Sequence, residues 1–359
     1  MPQARPDSLK GRGVRSSRGG RHERLQVEAF DDGWSHETEA APAPTTEVRT
    51  ETARTIITRN SSPDIGFDRS INMYRGCEHG CSYCYARPSH AWLGLSPGLD
   101  FETRLIAKTN AVALLEAELA APGYRPQMLA LGTNTDPYQP IERSHRLTRR
   151  ILEVLEACDH PVGVVTKSAL VARDADILGR MARKGLAKVA ISVTTLDRRL
   201  ARAMEPRASA PHRRLEAIRV LADAGVPVAV NASPIIPGLT DHELEAILEA
   251  AKAAGAHSAG WILLRLPLEV AELFKEWLLD HAPDRYRKVI GLIRDARGGR
   301  DNVAAFGARM RGEGAMASLI RSRYELAIRR LGLARSRETR LRTDLFRPPV
   351  PPGGQLSLL

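Results

Sequence analysis

The chain has 359 residues, 43% hydrophobic, 26% charged and 5% aromatic, enough apolar content to bury one large core or two ordinary ones. No apolar run approaches the roughly 20 residues that span a bilayer, and the polar, Arg/Gly-rich N-terminus has no secretory h-region; a cytoplasmic protein with no membrane partner is expected. The net charge of +11 is compatible with a polyanionic partner such as nucleic acid, or with a basic solvated surface.

Residues 1–55 are rich in Gly, Ser, Arg, Pro and Thr without apolar periodicity, the signature of a disordered arm. The arm is polarised: GRGVRSSRGGRHER is basic and EAFDDGWSHETEAAPAPTTE acidic. The basic half reads as a nucleic-acid arm or as a solubilising tail. From about residue 63, short β-branched runs alternate with amphipathic stretches. A first strand is expected around Ser70–Tyr74. MLALGT (128–133), VGVVTK (162–167), VAISVTT (189–195), VPVAVNASP (226–234) and WILLRL (261–266) read as buried parallel strands. Helical spacing covers Asn110–Ala120, Ser144–Ala157, Asp174–Lys184, His212–Ala224, Thr240–Ala254 and Glu269–Leu279. Gly185, Gly225 and Gly255 fit the left-handed position after a helix C-terminus, and Thr240 with Glu243 reads as a capping box. Strands each followed by a helix predict an α/β fold, and a span of about 200 residues suits a partial (β/α)6 TIM-like barrel. The core is assigned to 63–300. A basic helical extension with a flexible tail follows over 301–359, its closing QLSLL apolar enough to dock on the body.

RGCEHGCSYCYARP (75–88) holds three of the four cysteines, Cys77, Cys81 and Cys84, on the loop after the first strand. Four cysteines are too few for a disulfide framework in a chain this long, and a tight cluster reads as metal-binding or catalytic. A structural zinc site takes four Cys or His ligands, usually in two pairs; here only His79 and His90 lie near a single cluster. A disulfide would use two thiols and strand the third. A four-iron cluster can be held by three thiolates, leaving one iron for a small molecule. In β/α barrels the chemistry sits at the strand ends. Here these ends are polar: Gly132–Thr133–Asn134–Thr135–Asp136, Thr166–Lys167–Ser168, Ser192 with Thr194 and Thr195, Asn231 with Ser233, and Arg265. Polar strand ends also serve simply as exits to water.

The C-x3-C-x-Φ-C pattern, with Tyr83 at Φ, on the loop after the first strand resembles the radical S-adenosylmethionine (radical SAM) superfamily over about residues 63–300. The Y-R-G-C-x3-C-x-Y-C-Y context, T-D after the second strand and T-K after the third resemble its DNA-photolyase-like branch, which includes spore photoproduct lyase. E-H-G-C, G-T-N-T-D-P-Y-Q-P-I-E and P-I-I-P-G-L are similar to that branch's uncharacterised members. The resemblance implies that Cys77, Cys81 and Cys84 hold a [4Fe–4S] cluster whose open iron chelates S-adenosylmethionine (SAM). It implies reductive SAM cleavage to a 5′-deoxyadenosyl radical that abstracts hydrogen from substrate, with electrons from a donor such as flavodoxin or ferredoxin. It places Thr135 and Asp136 near the SAM amino and ribose groups, Lys167 on the methionine carboxylate and Ser192 near the ribose. Asn231 and the 234–238 loop fall on the adenine side, and Tyr83 flanks the adenine. Plain structural roles compete: Asp136 as a turn cap before Pro137, Lys167 as a solvent-facing strand end, Tyr83 as core. Tyr138 and Gln139 are in reach of substrate, and Glu205–Pro206–Arg207 is placed to shape the rim.

In spore photoproduct lyase a cysteine just before the corresponding motif returns a hydrogen to the product radical. That position is Thr133 here, and a hydroxyl O–H bond is too strong to donate a hydrogen atom readily. Cys158, at the end of a predicted helix, reads as a small buried apolar residue. The expectation is a monomeric radical SAM enzyme acting on an unidentified substrate, with nucleic acid a candidate. The competing reading is a non-catalytic iron–sulfur protein that binds nucleic acid or senses redox state.

Overall fold

The computed structural model describes residues 11–17, 19–22 and 45–349. Six parallel strands form its centre: β1 (Arg69–Ile71), β2 (Leu129–Leu131), β3 (Val162–Thr166), β4 (Ala187–Ser192), β5 (Val228–Ile235) and β6 (Ser258–Leu263). They pair in sequence order, with Ile57–Arg59 added antiparallel outside β1 and Ala334–Arg335 added parallel outside β6. The two edges do not pair with each other, so the α/β barrel is partial. Every residue of β1 and β2 is buried, as parallel strands covered on both faces require.

Six helices follow the strands: α1 (Ala111–Leu119), α2 (Leu147–Ala157), α3 (Ala175–Arg183), α4 (Pro211–Asp223), α5 (Leu244–Ala253) and α6 (Val270–His281). Leu115, Ile151, Ile177, Ile218 and Ile247 bring α1 to α5 into one core cluster with the strands. Helix α6 does something else. Its Val270, Phe274, Trp277 and Leu278 pack in a second cluster with Cys81, Tyr83 and Met204, so it buttresses the cysteine loop.

Several expectations need correction. The first strand ends at Ile71, and Tyr74–Arg75 turns away to pair with Arg104–Lys108 in a separate small sheet. The expected helix over Ser144–Ala157 is divided by Arg146 at φ 50°. The capping box does not form. The Thr240 hydroxyl accepts Ile236 N–H at 3.0 Å, and Glu243 accepts Leu196 N–H at 2.6 Å, because buried backbone donors of neighbouring loops claim both side chains. Gly185, Gly225 and Gly255 do take positive φ, at 74°, 81° and 102°.

The arm is not disordered throughout. Glu47–Glu51 is a strand parallel to Arg104–Lys108, whose open edge it covers, and Val14 is buried at 4% exposure. The rest of the expected arm, residues 1–10, 18 and 23–44, lies outside the described residues. The C-terminal region adds helices α7 (Tyr286–Asp295) and α8 (Gly314–Leu331). Ala317, Ile320, Tyr324 and Ile328 of α8 belong to the main core, and Tyr324 Oη donates to the Ala259 carbonyl at 2.8 Å. The extension is therefore continuous with the barrel. The closing QLSLL lies outside the described residues.

Candidate cofactor and active site

The chain leaves β1 and enters the cysteine loop through Gly76 at φ 75°. A side chain there would approach Leu105, His90 and the Phe101 carbonyl within 2.9 Å, so only glycine makes this turn. Backbone bonds then fix the loop: Cys77 N to Phe101 O at 2.9 Å, Cys84 N to Cys81 O at 3.2 Å and Ser82 N to Met204 O at 2.9 Å. Beneath it, the wholly buried Arg87 donates to the carbonyls of Cys81 at 2.9 Å and Gly98 at 2.8 Å, and pairs with Glu102. Glu102 in turn accepts Gly13 N–H at 2.9 Å, and Leu99 N–H donates to Ser16 O at 3.2 Å. The segment 11–17 thus lies over the cysteine loop.

A cavity of about 200 Å³ opens at the C-terminal ends of the strands. Cys77, Cys81, Cys84, Tyr83, Thr135, Asp136, Lys167, Ser192 and Asn231 all line it. The structure therefore brings every candidate residue together, but in different states. The Thr135 hydroxyl donates to Gly76 O at 2.5 Å and accepts Gln139 Nε2 at 3.0 Å. Asp136 accepts the Thr166 hydroxyl at 2.7 Å, Lys167 N–H at 2.8 Å and Tyr138 N–H at 2.9 Å, and faces His79 Nδ1 at 3.4 Å. Burial pushes its carboxyl up, but His79 and these donors outweigh that and hold it at about 2. Both residues are spent tying the β2 loop to the cysteine loop and to β3.

Lys167 is free by comparison. Its ammonium makes no hydrogen bond or ion pair among the described residues and lies 5.8 Å from the Tyr83 ring centroid. Tyr83 is fixed from behind: its hydroxyl donates to Glu205 and lies 3.2 Å from the Thr194 hydroxyl. Burial pushes the Glu205 carboxyl up, while Arg214, Lys167 and the hydrogen bonds hold it at about 2. Ser233 Oγ, in the same cavity, is buried without a partner among the described residues.

The thiols test the metal readings. Cys77, Cys81, Cys84 and Cys158 are all free, so no disulfide forms. Among the described residues no group of three or more His, Cys, Asp or Glu side chains is arranged to hold a single metal ion. Cys77, Cys81 and Cys84 share one wall of the cavity, and three thiolates can hold a multi-iron cluster whose irons each take one. Burial pushes the Cys77 and Cys81 thiols up; a bound cation would favour their thiolates.

The sequence model of the Radical SAM superfamily matches residues 71–251, half of the chain. The chain belongs to the radical SAM superfamily. Its members use SAM with an iron–sulfur cluster and need an electron donor. An uncharacterised protein of Mycobacterium tuberculosis is 37% identical over 228 residues, spanning 62% of this radical SAM chain and 67% of the relative. An uncharacterised protein of Methanocaldococcus jannaschii is 27% identical over 216 residues, covering 60% and 77%. Among solved structures, a mutant of spore photoproduct lyase superposes with a TM-score of 0.56 at 17% identity, over 80% of this chain and 81% of that one. Spore photoproduct lyase complexed with dinucleoside spore photoproduct gives 0.54 at 16%, over 80% and 81%. At such identities the likeness concerns the fold, and it agrees with the partial barrel. No helix among the described residues is long and apolar enough to cross a membrane.

Sequence reasoning placed some residues of this radical SAM protein wrongly and missed others. Tyr138 and Gln139 do not line the cavity. Tyr138 is buried and donates to Asp174 at 3.0 Å, and Gln139 Oε1 accepts Glu78 N–H at 2.8 Å inside the cysteine-loop scaffold. Glu205 lies behind Tyr83, and Arg207 pairs with Glu78. The Arg87–Glu102 strut had no local signal: Arg87 stands within the cysteine stretch, but its partner Glu102 lies 15 residues further on and meets it only in the folded chain. Cys158 is buried in the main core, as expected. Thr133 lines the cavity with its hydroxyl accepting Asn72 Nδ2 at 3.1 Å.

Proposed function

We propose that this chain holds one [4Fe–4S] cluster on Cys77, Cys81 and Cys84 and uses it to cleave SAM for hydrogen abstraction from a substrate of the nucleic-acid class. When bound, the cluster and SAM supply the chemistry: one electron from a carrier such as flavodoxin or ferredoxin splits SAM into methionine and a 5′-deoxyadenosyl radical, which takes a hydrogen atom from substrate. The observation that carries this reading is the ammonium of Lys167, unpaired among the described residues and facing the cavity that the three thiols line.

Lys167 binds the methionine carboxylate as a point charge. Ser192, Asn231 and the unpartnered Ser233 hydroxyl are placed for ribose and adenine. Tyr83, clamped by Glu205 and Thr194, forms a fixed wall for the bound cofactor. Thr135 and Asp136 act as positioning residues, because their acceptors and donors are already used. The +11 charge supports a polyanionic substrate, and the likeness to an enzyme complexed with dinucleoside spore photoproduct supports one built of nucleosides. Thr133 argues for a reaction other than thiol-assisted dimer reversal, since its hydroxyl does not return a hydrogen atom.

The test is anaerobic reconstitution with iron and sulfide, then reductant and SAM, with 5′-deoxyadenosine quantified chromatographically. Wild-type protein produces it and Cys81→Ala does not. A wild-type protein with an intact, reducible cluster and no product, with or without added oligonucleotide, defeats the reading.

A further inference from the structure

The cavity has a second cation. Arg265 follows β6 and lines the cavity, two strands beyond the pair β3 and β4 whose ends carry Lys167 and Ser192. Its guanidinium lies 5.4 Å from the ring centroid of Tyr85, the residue after Cys84. Unlike Arg87 and Arg214, which each pair with a buried carboxylate, Arg265 pairs with none among the described residues. Its Nε is buried without a partner, and Nη1 has only the Met310 thioether, at 3.9 Å. The nearby acid, Asp64, already accepts Arg309 Nε at 2.5 Å and Gly307 N–H at 2.6 Å. Arg309 itself adds to the positive field. A half-buried guanidinium beside other cations is costly unless an anion joins it.

Tyr85 completes the arrangement. Its hydroxyl donates to the Thr133 carbonyl, which holds the ring at the cavity wall, yet the residue remains 47% exposed. The guanidinium lies over one face of the Tyr85 ring, and the pair matches a base next to its phosphate: the base stacks on the other face of the tyrosine, and the arginine fork donates to two phosphate oxygens. The surplus of arginines favours a phosphate over a less charged carboxylate.

We propose that Arg265 and Tyr85 form the substrate subsite, the guanidinium taking a phosphate and the ring stacking the adjoining base, so that the substrate enters as an unstacked nucleotide unit. This rests on the reading above, in which Lys167 takes the SAM carboxylate and leaves Arg265 to the substrate.

The experiment uses the full-length reconstituted protein with SAM and no reductant. A fluorescein-labelled thymidine tetranucleotide is titrated by anisotropy against its uncharged methylphosphonate analogue and an abasic tetramer. Wild type binds the thymidine probe at least tenfold more tightly than the methylphosphonate. Arg265→Gln loses at least tenfold on the thymidine probe and flattens its salt dependence by about 0.7 in log–log slope, one phosphate contact on a single strand. Arg265→Lys, which keeps the charge but not the fork, falls between. Tyr85→Leu abolishes the preference for thymidine over abasic probe. The proposal is overturned if wild type binds neither probe, if Arg265→Gln and Arg265→Lys both bind as wild type, or if Arg265→Gln weakens SAM binding in equilibrium dialysis more than tetranucleotide binding. Tetranucleotide binding here with no deoxyadenosine in the reductant-driven assay above would defeat the enzymatic reading while supporting the subsite; deoxyadenosine in that assay without tetranucleotide binding would defeat the subsite alone.

Discussion

Arg87 and Glu102 form an ion pair in which neither side chain is exposed, and the same guanidinium holds the Cys81 carbonyl at 2.9 Å. Breaking one side of such a pair leaves a buried charge uncompensated, at about 3–5 kcal/mol. Arg87→Met is expected to lower stability by that amount in urea unfolding and to reduce iron retained per chain. Adding Glu102→Gln removes the stranded charge while keeping an acceptor for Gly13 N–H, so the double variant should be more stable than the single one. A double variant less stable than Arg87→Met would mean that the pair is not the source of the loss.

Gly13 sits where a Cβ would run into the Gly80 carbonyl of the cysteine loop. Gly13→Ala must lift the segment 11–17 from the loop it covers. The expected result is faster loss of visible absorbance near 400 nm when reconstituted protein meets air, with SAM affinity little changed because the segment does not line the cavity. Equal bleaching rates in the variant and wild type would show that the segment does not shield the cluster.

Lys167 offers the cavity an ammonium with no hydrogen bond or ion pair among the described residues, 5.8 Å from the Tyr83 ring centroid. A hydrogen bond to a charged group contributes about 1.5–3 kcal/mol, so Lys167→Gln should weaken SAM binding roughly 10- to 100-fold in equilibrium dialysis. Lys167→Arg restores the charge with different geometry and should recover part of the loss. Unchanged affinity in Lys167→Gln would return Lys167 to the role of an ordinary strand end.

The parts of this fold that sequence makes legible are those with strong local periodicity. VGVVTK is found as β3 within a residue of its expected span, and α1, α3 and α4 likewise. Failures come where a tertiary partner outweighs the local pattern. WILLRL pointed to a strand at 261–266, but β6 begins at Ser258, because Ser258 and Ala259 pair with both Ala229–Val230 and Ala334–Arg335. Glu47–Glu51, polar in composition, is a strand only because Arg104–Lys108 offers it an edge. At the site, the spacing of Cys77, Cys81 and Cys84 and the polar strand ends located the cavity. The commitments of Thr135 and Asp136 to neighbouring loops, and the orphaned guanidinium of Arg265, depend on contacts across the chain that no local pattern carries.

The far end of the barrel carries a pH-dependent contribution to stability. His160 is wholly buried, with Nδ1 3.1 Å from the Pro161 carbonyl, Nε2 2.9 Å from the Tyr124 hydroxyl and the Phe346 ring edge-on at 5.3 Å. Those partners fit a neutral ring that donates from Nδ1 and accepts at Nε2. Burial lowers its pKa to about 4, with Arg69 adding repulsion, and the Pro161 carbonyl offsets this only in part. The unfolded chain, with an ordinary imidazole, then binds more protons than the folded one between about pH 6.5 and 4, so stability falls as pH falls through that window. The linkage amounts to about 2 kcal/mol between pH 7.5 and 5. His160→Gln should lose stability at neutral pH through the Tyr124 and Phe346 contacts but show a correspondingly flatter pH dependence in urea unfolding. If the variant and wild type lose stability in parallel from pH 7.5 to 5, His160 is not the group responsible, and carboxylates elsewhere account for the acid sensitivity.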